Sequence, residues 1–269
     1  MLNYLYNNVT LDSKTPSVFK NDKNFVIMQI KKGCSIKWAS DELKKDRDVV
    51  MEAVKMWGMD LEFVDKKFCS DLEIVRTAVE HDGHALEFAS EDIKNLKEIV
   101  MIAIQTSIDV ICFAHEELLD NVEFMMDMVK ISGLTLKFAG ETVRNERDVG
   151  LTAINENCKS FKYLSPTLKN DIEIVILAVS FDVMVIKYAS LEIRSRREFM
   201  LNLVAQDGLV LKYLPWELQN DLEIVQIAIE NDKDAIEFAS DEIYDLLDTT
   251  SYDSDSDDCD DCDDCDEIS

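Results

Sequence analysis

Apolar and polar positions along this chain recur with a period of 25 residues. An aromatic side chain marks each turn of the pattern: Trp38, Phe63, Phe88, Phe113, Phe138, Tyr163, Tyr188, Tyr213 and Phe238, with no insertion or deletion between them. An apolar residue stands two places before each, as in Ile36, Leu61, Leu86 and Ile111, and another five places after, as in Leu43, Phe68, Ile93 and Leu118. Recurrence at fixed spacing marks a tandem structural repeat. In the second half of each unit, Ile74, Val75, Ala78 and Val79 fall at i, i+1, i+4 and i+5, which is one face of an α-helix. The same spacing returns at Ile174, Val175, Ala178 and Val179, and at Ile224, Val225, Ala228 and Ile229.

Boundary signals frame this helix. Ser70, Asn95, Asp120, Asn145, Asn170, Ser195 and Asn220 share one register just before it and are good N-caps. Asp71, Glu73, Asp171, Glu173, Asp221 and Glu223 follow in the first turn, where acids complement the helix dipole. Gly33, Gly58, Gly83, Gly133 and Gly208 stand where a terminating C′ glycine is expected. The first half of the unit, such as 85–93, reads as a shorter helical stretch, with Ser40, Ser90, Ser190 and Ser240 capping a second turn.

The expected fold is therefore all-α: an elongated α-solenoid of nine 25-residue helix-turn-helix repeats. The expected divisions are an N-terminal cap and partial repeat over 1–35, the solenoid over 36–247, and a disordered Asp/Cys-rich acidic tail over 248–269. In the cap, Val18, Phe19 and Phe25 to Ile30 read as a half repeat one residue out of phase. Two units are expected to be irregular. The one around 108–132 has Ile108 in place of the glycine, and the one around 145–158 puts Gly150 inside a helix, at about 1 kcal/mol relative to Ala. A leucine-rich repeat also admits this period, but its asparagine-ladder position would hold Asp41, Lys66, Glu91, Glu116 and Trp216, which disfavours it.

The consensus runs apolar-x-aromatic-Ala-Ser-x-x-Leu, then Asp-x-Glu-Ile-Val-x-x-Ala-Val and Gly. Residues 71–90, 171–190 and 221–240 carry it best. It resembles the tandem repeat known as domain of unknown function 4116, found in mimivirus-type giant viruses and some bacteria. The resemblance covers roughly residues 20–245 and implies no activity, because that family has no assigned chemistry.

Composition narrows the function. The net charge is −27, with 55 acidic and 28 basic residues, and residues 241–269 carry 14 of the acids with no Lys or Arg. Such a surface repels phosphate backbones and anionic membranes, so neither nucleic acid nor membrane is an expected partner. Met1 to Lys14 lacks the basic and apolar regions of a secretory leader, and no apolar run is long enough to span a bilayer. Cys34, Cys69, Cys112 and Cys158 fall at four different repeat positions and form no framework, and an odd total of seven cysteines fits a reducing compartment. The expected location is intracellular: the cytoplasm, or a host cytoplasm or virion if the chain is viral.

No catalytic, cofactor-binding or metal-binding residues are assigned. His81, His84 and His115 occupy three different repeat positions, which is not the convergence a metal needs. Cys259, Cys262 and Cys265 have a soft-metal spacing, but no His or fourth Cys is near, and a solvated low-complexity tail is the simpler account. Ser254 with Asp257, and Thr250 with Asp253, suit an acid-directed kinase only weakly. Phosphate-cradling, nucleophile-elbow and zincin motifs are missing. Carboxylates recur in every unit, as structural residues do.

One column stands out. The residue before each aromatic is Lys37, Glu62, Glu87, Cys112, Lys137, Lys162, Lys187, Lys212 and Glu237. Stacked repeats about 10 Å apart would line up Lys137, Lys162, Lys187 and Lys212 as a basic ladder. That ladder is expected to bind an acidic segment, from a partner protein or from the tail. The position four before each aromatic varies freely (Cys34, Met59, His84, Asp109, Leu134, Lys159, Met184, Leu209, Asp234) and is expected on the partner-facing side. The expected role is a non-enzymatic protein–protein interaction scaffold. The alternative is a self-assembling structural protein of a virion or inclusion.

Overall fold

The computed structural model describes residues 10–252. The Asp/Cys-rich segment 253–269, with its three cysteines and its kinase-site acids, lies outside the described residues, as do residues 1–9. The fold is all-α: among the described residues every regular element is helical.

Each repeat has three elements rather than two helices. In one unit the ten-residue α-helix Leu72–His81 leads into a 3-10 helix, Gly83–Phe88, and then into the short α-helix Glu91–Lys94. The long helix buries the face its spacing forecast: Ile74, Val75, Ala78 and Val79 are fully inaccessible. The 3-10 helix adds Ala85 and Leu86 and ends on the half-buried aromatic Phe88. Ala89 and Ser90 then turn extended, at ψ 156°. The break has a cause outside the repeat. The Ser90 amide donates to the Cys69 carbonyl of the preceding repeat (2.8 Å) instead of continuing a helix. His115 to Lys94 and Gly140 to Leu119 repeat this bond, as do Ser190 to Lys169 and Ser240 to Gln219.

The chain divides into two compact units, Met1–Asn157 and Cys158–Ser269. Within the first, Lys23–Lys31 packs on Arg47–Met56, that helix on Leu72–His81, and Val122–Ile131 on Arg147–Glu156. Within the second, Arg197–Val204 packs on Leu222–Asn231, and the 3-10 helices stack in turn. Each unit is thus a stack of consecutive repeats. The out-of-phase half repeat is real. Phe25, Val26, Gln29 and Ile30 are buried at the same helical spacing, 24 residues ahead of Val49, Val50, Ala53 and Val54.

Several local expectations need correction. The long-helix N-cap lies one residue later than expected, at Asp46, Asp71, Asn121, Asp171 and Asp221, whose side chains accept first-turn amides. The residues before them act between repeats. Asp120 accepts the Thr142 amide (2.9 Å) and hydroxyl (2.7 Å), Asn95 donates to Glu117 (2.9 Å), and Asn170 accepts the Ser190 hydroxyl. The glycines are not left-handed terminators, apart from Gly33 at φ +94°. Gly58, Gly83, Gly133 and Gly208 open the 3-10 helices, and a methyl on any of them would overlap the backbone carbonyl of Ala78, Ala103, Ala153 or Ala228 one repeat on. The two units expected to be irregular keep full ten-residue helices, Val122–Ile131 and Arg147–Glu156. Gly150 is buried, and the helix beside it carries the bulky buried Phe124, Met125 and Met128. The shortened helices are instead Lys97–Ala103 and Arg197–Val204. The last helix, Asp241–Tyr252, runs five residues past the expected solenoid boundary at Leu247.

One buried acid pins the N-terminal repeat. Asp60 occupies a column held elsewhere by Ala85, Val110 and Val185, and it is only 3% exposed. It accepts the Ser35 hydroxyl (2.6 Å) and the Ile36 amide (2.8 Å). Burial pushes its pKa up from the ordinary 3.8 against those two bonds.

Two substitutions test this account by urea denaturation. Gly58→Ala is expected to cost about 1–3 kcal/mol, because the methyl meets backbone that cannot rotate away. Asp60→Ala is expected to cost about 1–3 kcal/mol by stranding the Ile36 amide.

Candidate interaction site

The 25-residue step brings the residue before each aromatic to one side of successive 3-10 helices. In the second unit Cys158–Tyr163 packs on Val183–Tyr188, that on Gly208–Tyr213, and that on Lys233–Phe238. The Lys162 ammonium lies 4.6 Å from the centre of the Tyr163 ring. Lys187 lies between two repeats, 5.1 Å from Tyr188 and 5.8 Å from Tyr213. Lys212 reaches forward to Phe238, at 5.3 Å. A cation over a ring face is held by the ring quadrupole, so the ammonium groups are placed rather than free to sweep. A hydrogen bond with Tyr163 is the main cause that raises the Lys162 pKa above its usual 10.5, which keeps it charged. No carboxylate among the described residues pairs with Lys162, Lys187 or Lys212.

Of the four ladder lysines, the structure brings three together. Lys137 belongs to the first unit, where it lies over Phe138 (4.4 Å) and pairs with Asp109 (3.6 Å). Asp109 itself belongs to the freely varying column. In the second unit that column borders the strip: Lys159 and Met184 line a shallow pocket of about 100 Å³ with Lys162, Asp182, Val185, Lys187 and Tyr188. Sites for small-molecule cofactors run to about 300–1,000 Å³, so this pocket suits a single side chain of a larger partner.

The remaining candidates have structural employment. His81 Nδ1 accepts the Gly58 amide (3.3 Å), as Thr106 does for Gly83 and Asn231 for Gly208. His84 meets Asp82 (3.1 Å), and His115 Nδ1 accepts the Glu117 amide (3.2 Å). They do not converge, and no metal-capable group of three or more ligands occurs among the described residues. Likewise no described helix is long and apolar enough to cross a membrane.

The sequence reading missed a set of clamps between long helices. Lys23 pairs with Asp46 and Asp48 (both 2.8 Å), Arg47 with Asp71 (3.4 Å) and Glu73, and Arg197 with Asp221 (2.7 Å) and Glu223 (2.5 Å). The base is the first helical residue, and its partners are the next helix's N-cap and second residue. The signal was in the chain. This position reads Arg47, Leu72, Lys97, Val122, Arg147, Ile172, Arg197 and Leu222, so basic and apolar alternate with a period of two repeats.

A family model matches stretches about two repeats long. The model for a domain of unknown function, DUF4116, matches residues 30–69, 46–94, 71–119, 97–144, 121–166, 151–194 and 196–244. The chain belongs to the DUF4116 family. Each DUF4116 match covers about two 25-residue repeats, and most advance by one repeat, so neighbouring matches overlap. No curated protein and no solved structure matches the chain.

The clamps set a pH dependence. Arg197 holds the Asp221 carboxyl below its usual 3.8, and Lys23 does the same for Asp46, in each case mainly through the hydrogen bond. A depressed folded pKa gives stability that is present above the unfolded pKa and lost as pH falls through the folded one. Arg197→Gln is therefore expected to lower Tm at pH 7, and its difference from the parent should close below about pH 4. Thermal melts of both proteins across that range check it.

Proposed function

We propose that this DUF4116 chain is a non-enzymatic protein–protein interaction scaffold whose second unit binds an acidic segment of a partner along Lys162, Lys187 and Lys212. One observation carries this reading. On a chain with twice as many acids as bases, three lysines in consecutive repeats are set on aromatic rings without a carboxylate partner among the described residues. Elsewhere Lys23, Arg47 and Arg197, which begin long helices, pair with acids across the repeat boundary.

The spacing supports an extended ligand. Stacked elements lie about 10 Å apart, and a polyproline II segment turns once every three residues while advancing about 9 Å. Every third residue of a segment bound in that form therefore meets the next lysine. Half-buried Tyr163, Tyr188 and Tyr213 between the charges supply apolar surface for the segment's stem atoms. Charge pairing of this kind favours fast association and strong salt dependence.

Decaglutamate is the probe for this reading, titrated by isothermal calorimetry. The triple variant Lys162→Gln, Lys187→Gln, Lys212→Gln is expected to weaken binding at least about tenfold, the equivalent of about 1.4 kcal/mol. Lys97→Gln, away from the strip, should leave the affinity unchanged. Equal binding by the triple variant and the parent would remove the strip from the proposal. Sedimentation velocity over a wide concentration range separates a scaffold from a self-assembling structural protein.

A further inference from the structure

The geometry points to an occupant of the strip within the chain itself: the acidic segment 257–267 docks along Lys212, Lys187 and Lys162 of its own molecule and competes with the acidic partner. This inference rests on the scaffold reading above and names a regulator of the same site.

The first argument is register. The segment reads Asp257-Asp258-Cys259, Asp260-Asp261-Cys262, Asp263-Asp264-Cys265, Asp266-Glu267, a three-residue repeat. In a polyproline II conformation, three residues make one turn, return to the same face and advance about 9 Å. That is close to the step of about 10 Å between stacked repeats. Asp261, Asp264 and Glu267 can therefore meet Lys212, Lys187 and Lys162 in turn with no change in backbone conformation from one step to the next. A random acidic sequence would match one lysine and miss the next.

Charge and reach agree. Residues 253–269 hold ten carboxylates and no Lys or Arg. The three lysines are the ones in this unit that already sit on rings and lack a carboxylate partner among the described residues. The same unit contains the strip and the helix Asp241–Tyr252, after which the acidic segment follows in sequence. From Tyr252, the nine residues to Asp261 reach about 30 Å extended, and six more to Glu267 add about 19 Å in polyproline II form. The path to Lys212 retraces the 12-residue helix Asp241–Tyr252, about 18 Å, and crosses one repeat step, about 10 Å. Two further steps, about 20 Å, lead to Lys162. Cysteine, small and weakly apolar, recurs at every third place of the segment, as an aromatic ring recurs at every repeat of the strip.

Tethering makes the docking intramolecular, at an effective concentration in the millimolar range for a short flexible connection. A free partner must displace the tail, so its affinity falls by the fraction of strip left open. Three adjacent charge pairs also make the closed form sensitive to salt.

The test uses the full chain. Zero-length carbodiimide cross-linking at low protein concentration, with a mixture of isotopically heavy and light chains, is mapped by mass spectrometry. In parallel, decaglutamate is titrated into the parent and into a full-length variant with every Asp of 253–266 replaced by Asn together with Glu267→Gln. The expected result is amide links from tail carboxylates to Lys162, Lys187 and Lys212 within one molecule, with about tenfold tighter decaglutamate binding once the tail is neutral. Links scattered over other lysines, links between heavy and light chains, or no links overturn the inference. If decaglutamate binding stays lysine-dependent in that event, only the tail is wrong. If the neutral-tail chain fails to bind decaglutamate at all, the scaffold reading falls with it.

Discussion

Backbone-to-backbone approach between consecutive repeats is the constraint on which everything else depends. A ten-residue helix, a six-residue 3-10 helix and a four-residue helix are each too short to persist alone in water. Their apolar faces are buried only by the neighbours on either side. Two contacts fix how close those neighbours come. One is the amide-to-carbonyl bond spanning 21 residues, as from Ser90 to Cys69. The other is the glycine at the start of the 3-10 helix, which lets the alanine carbonyl twenty residues later come closer than any side chain permits. The chain shows this dependence in its own variation. Gly58, Gly83, Gly133 and Gly208 are followed twenty places on by alanine, whereas Ile108 and Val183 are followed by Met128 and Leu203. Small goes with small and large with large, as a pair sharing one packing distance must. Cys158, followed by Ala178, lies between the two cases.

This constraint also explains what could be read from the sequence. The long helix was legible because its evidence is local: four apolar positions one turn apart, in a segment that begins with acids. Its cap was misplaced by one residue because Asn170-Asp171 and Asn220-Asp221 are adjacent residues that both suit a cap. Only the second caps. Asn170 and Asn220 serve the short helix of the following repeat, through Ser190 and Ser240. No local rule distinguishes a side chain used within its repeat from one used across the boundary. The glycines were misread for the same reason, since their role depends on a carbonyl twenty residues away. In the candidate site, the lysine column was legible from position alone. The rings beneath the ammonium groups and the Asp109 partner of Lys137 came from stacking, which periodicity announces without giving its distances.

The two-repeat period refines the picture of the array. Basic Arg47 and Arg197 start helices that are followed by Leu72 and Leu222, whose own caps receive the clamp. Each of these two clamps joins a helix that starts with a base to one that starts with an apolar residue, a stretch of two repeats. Matches of the DUF4116 model have that length. The clamps also partition the bases. Those at the helix starts hold acids of the next repeat, so they are not available to an external anion. Lys162, Lys187 and Lys212, in the column before the aromatics, have no such partner among the described residues.

A site made this way differs in kind from an enzyme's pocket. The same amide-to-carbonyl bond recurs between consecutive repeats within each unit, so a residue in the column before the aromatic can change without disturbing the core beside it. The column uses that freedom. It reads basic, acidic, acidic, neutral and basic through Lys37, Glu62, Glu87, Cys112 and Lys137 in the first unit, then three lysines and Glu237 in the second. Spacing comes from the buried contacts, and sign comes from the exposed column. Under the proposed function, selectivity follows from matching two periods, one of stacked repeats and one of an extended segment, and a partner whose charges fall out of step loses contacts in proportion to the number of repeats it tries to cover.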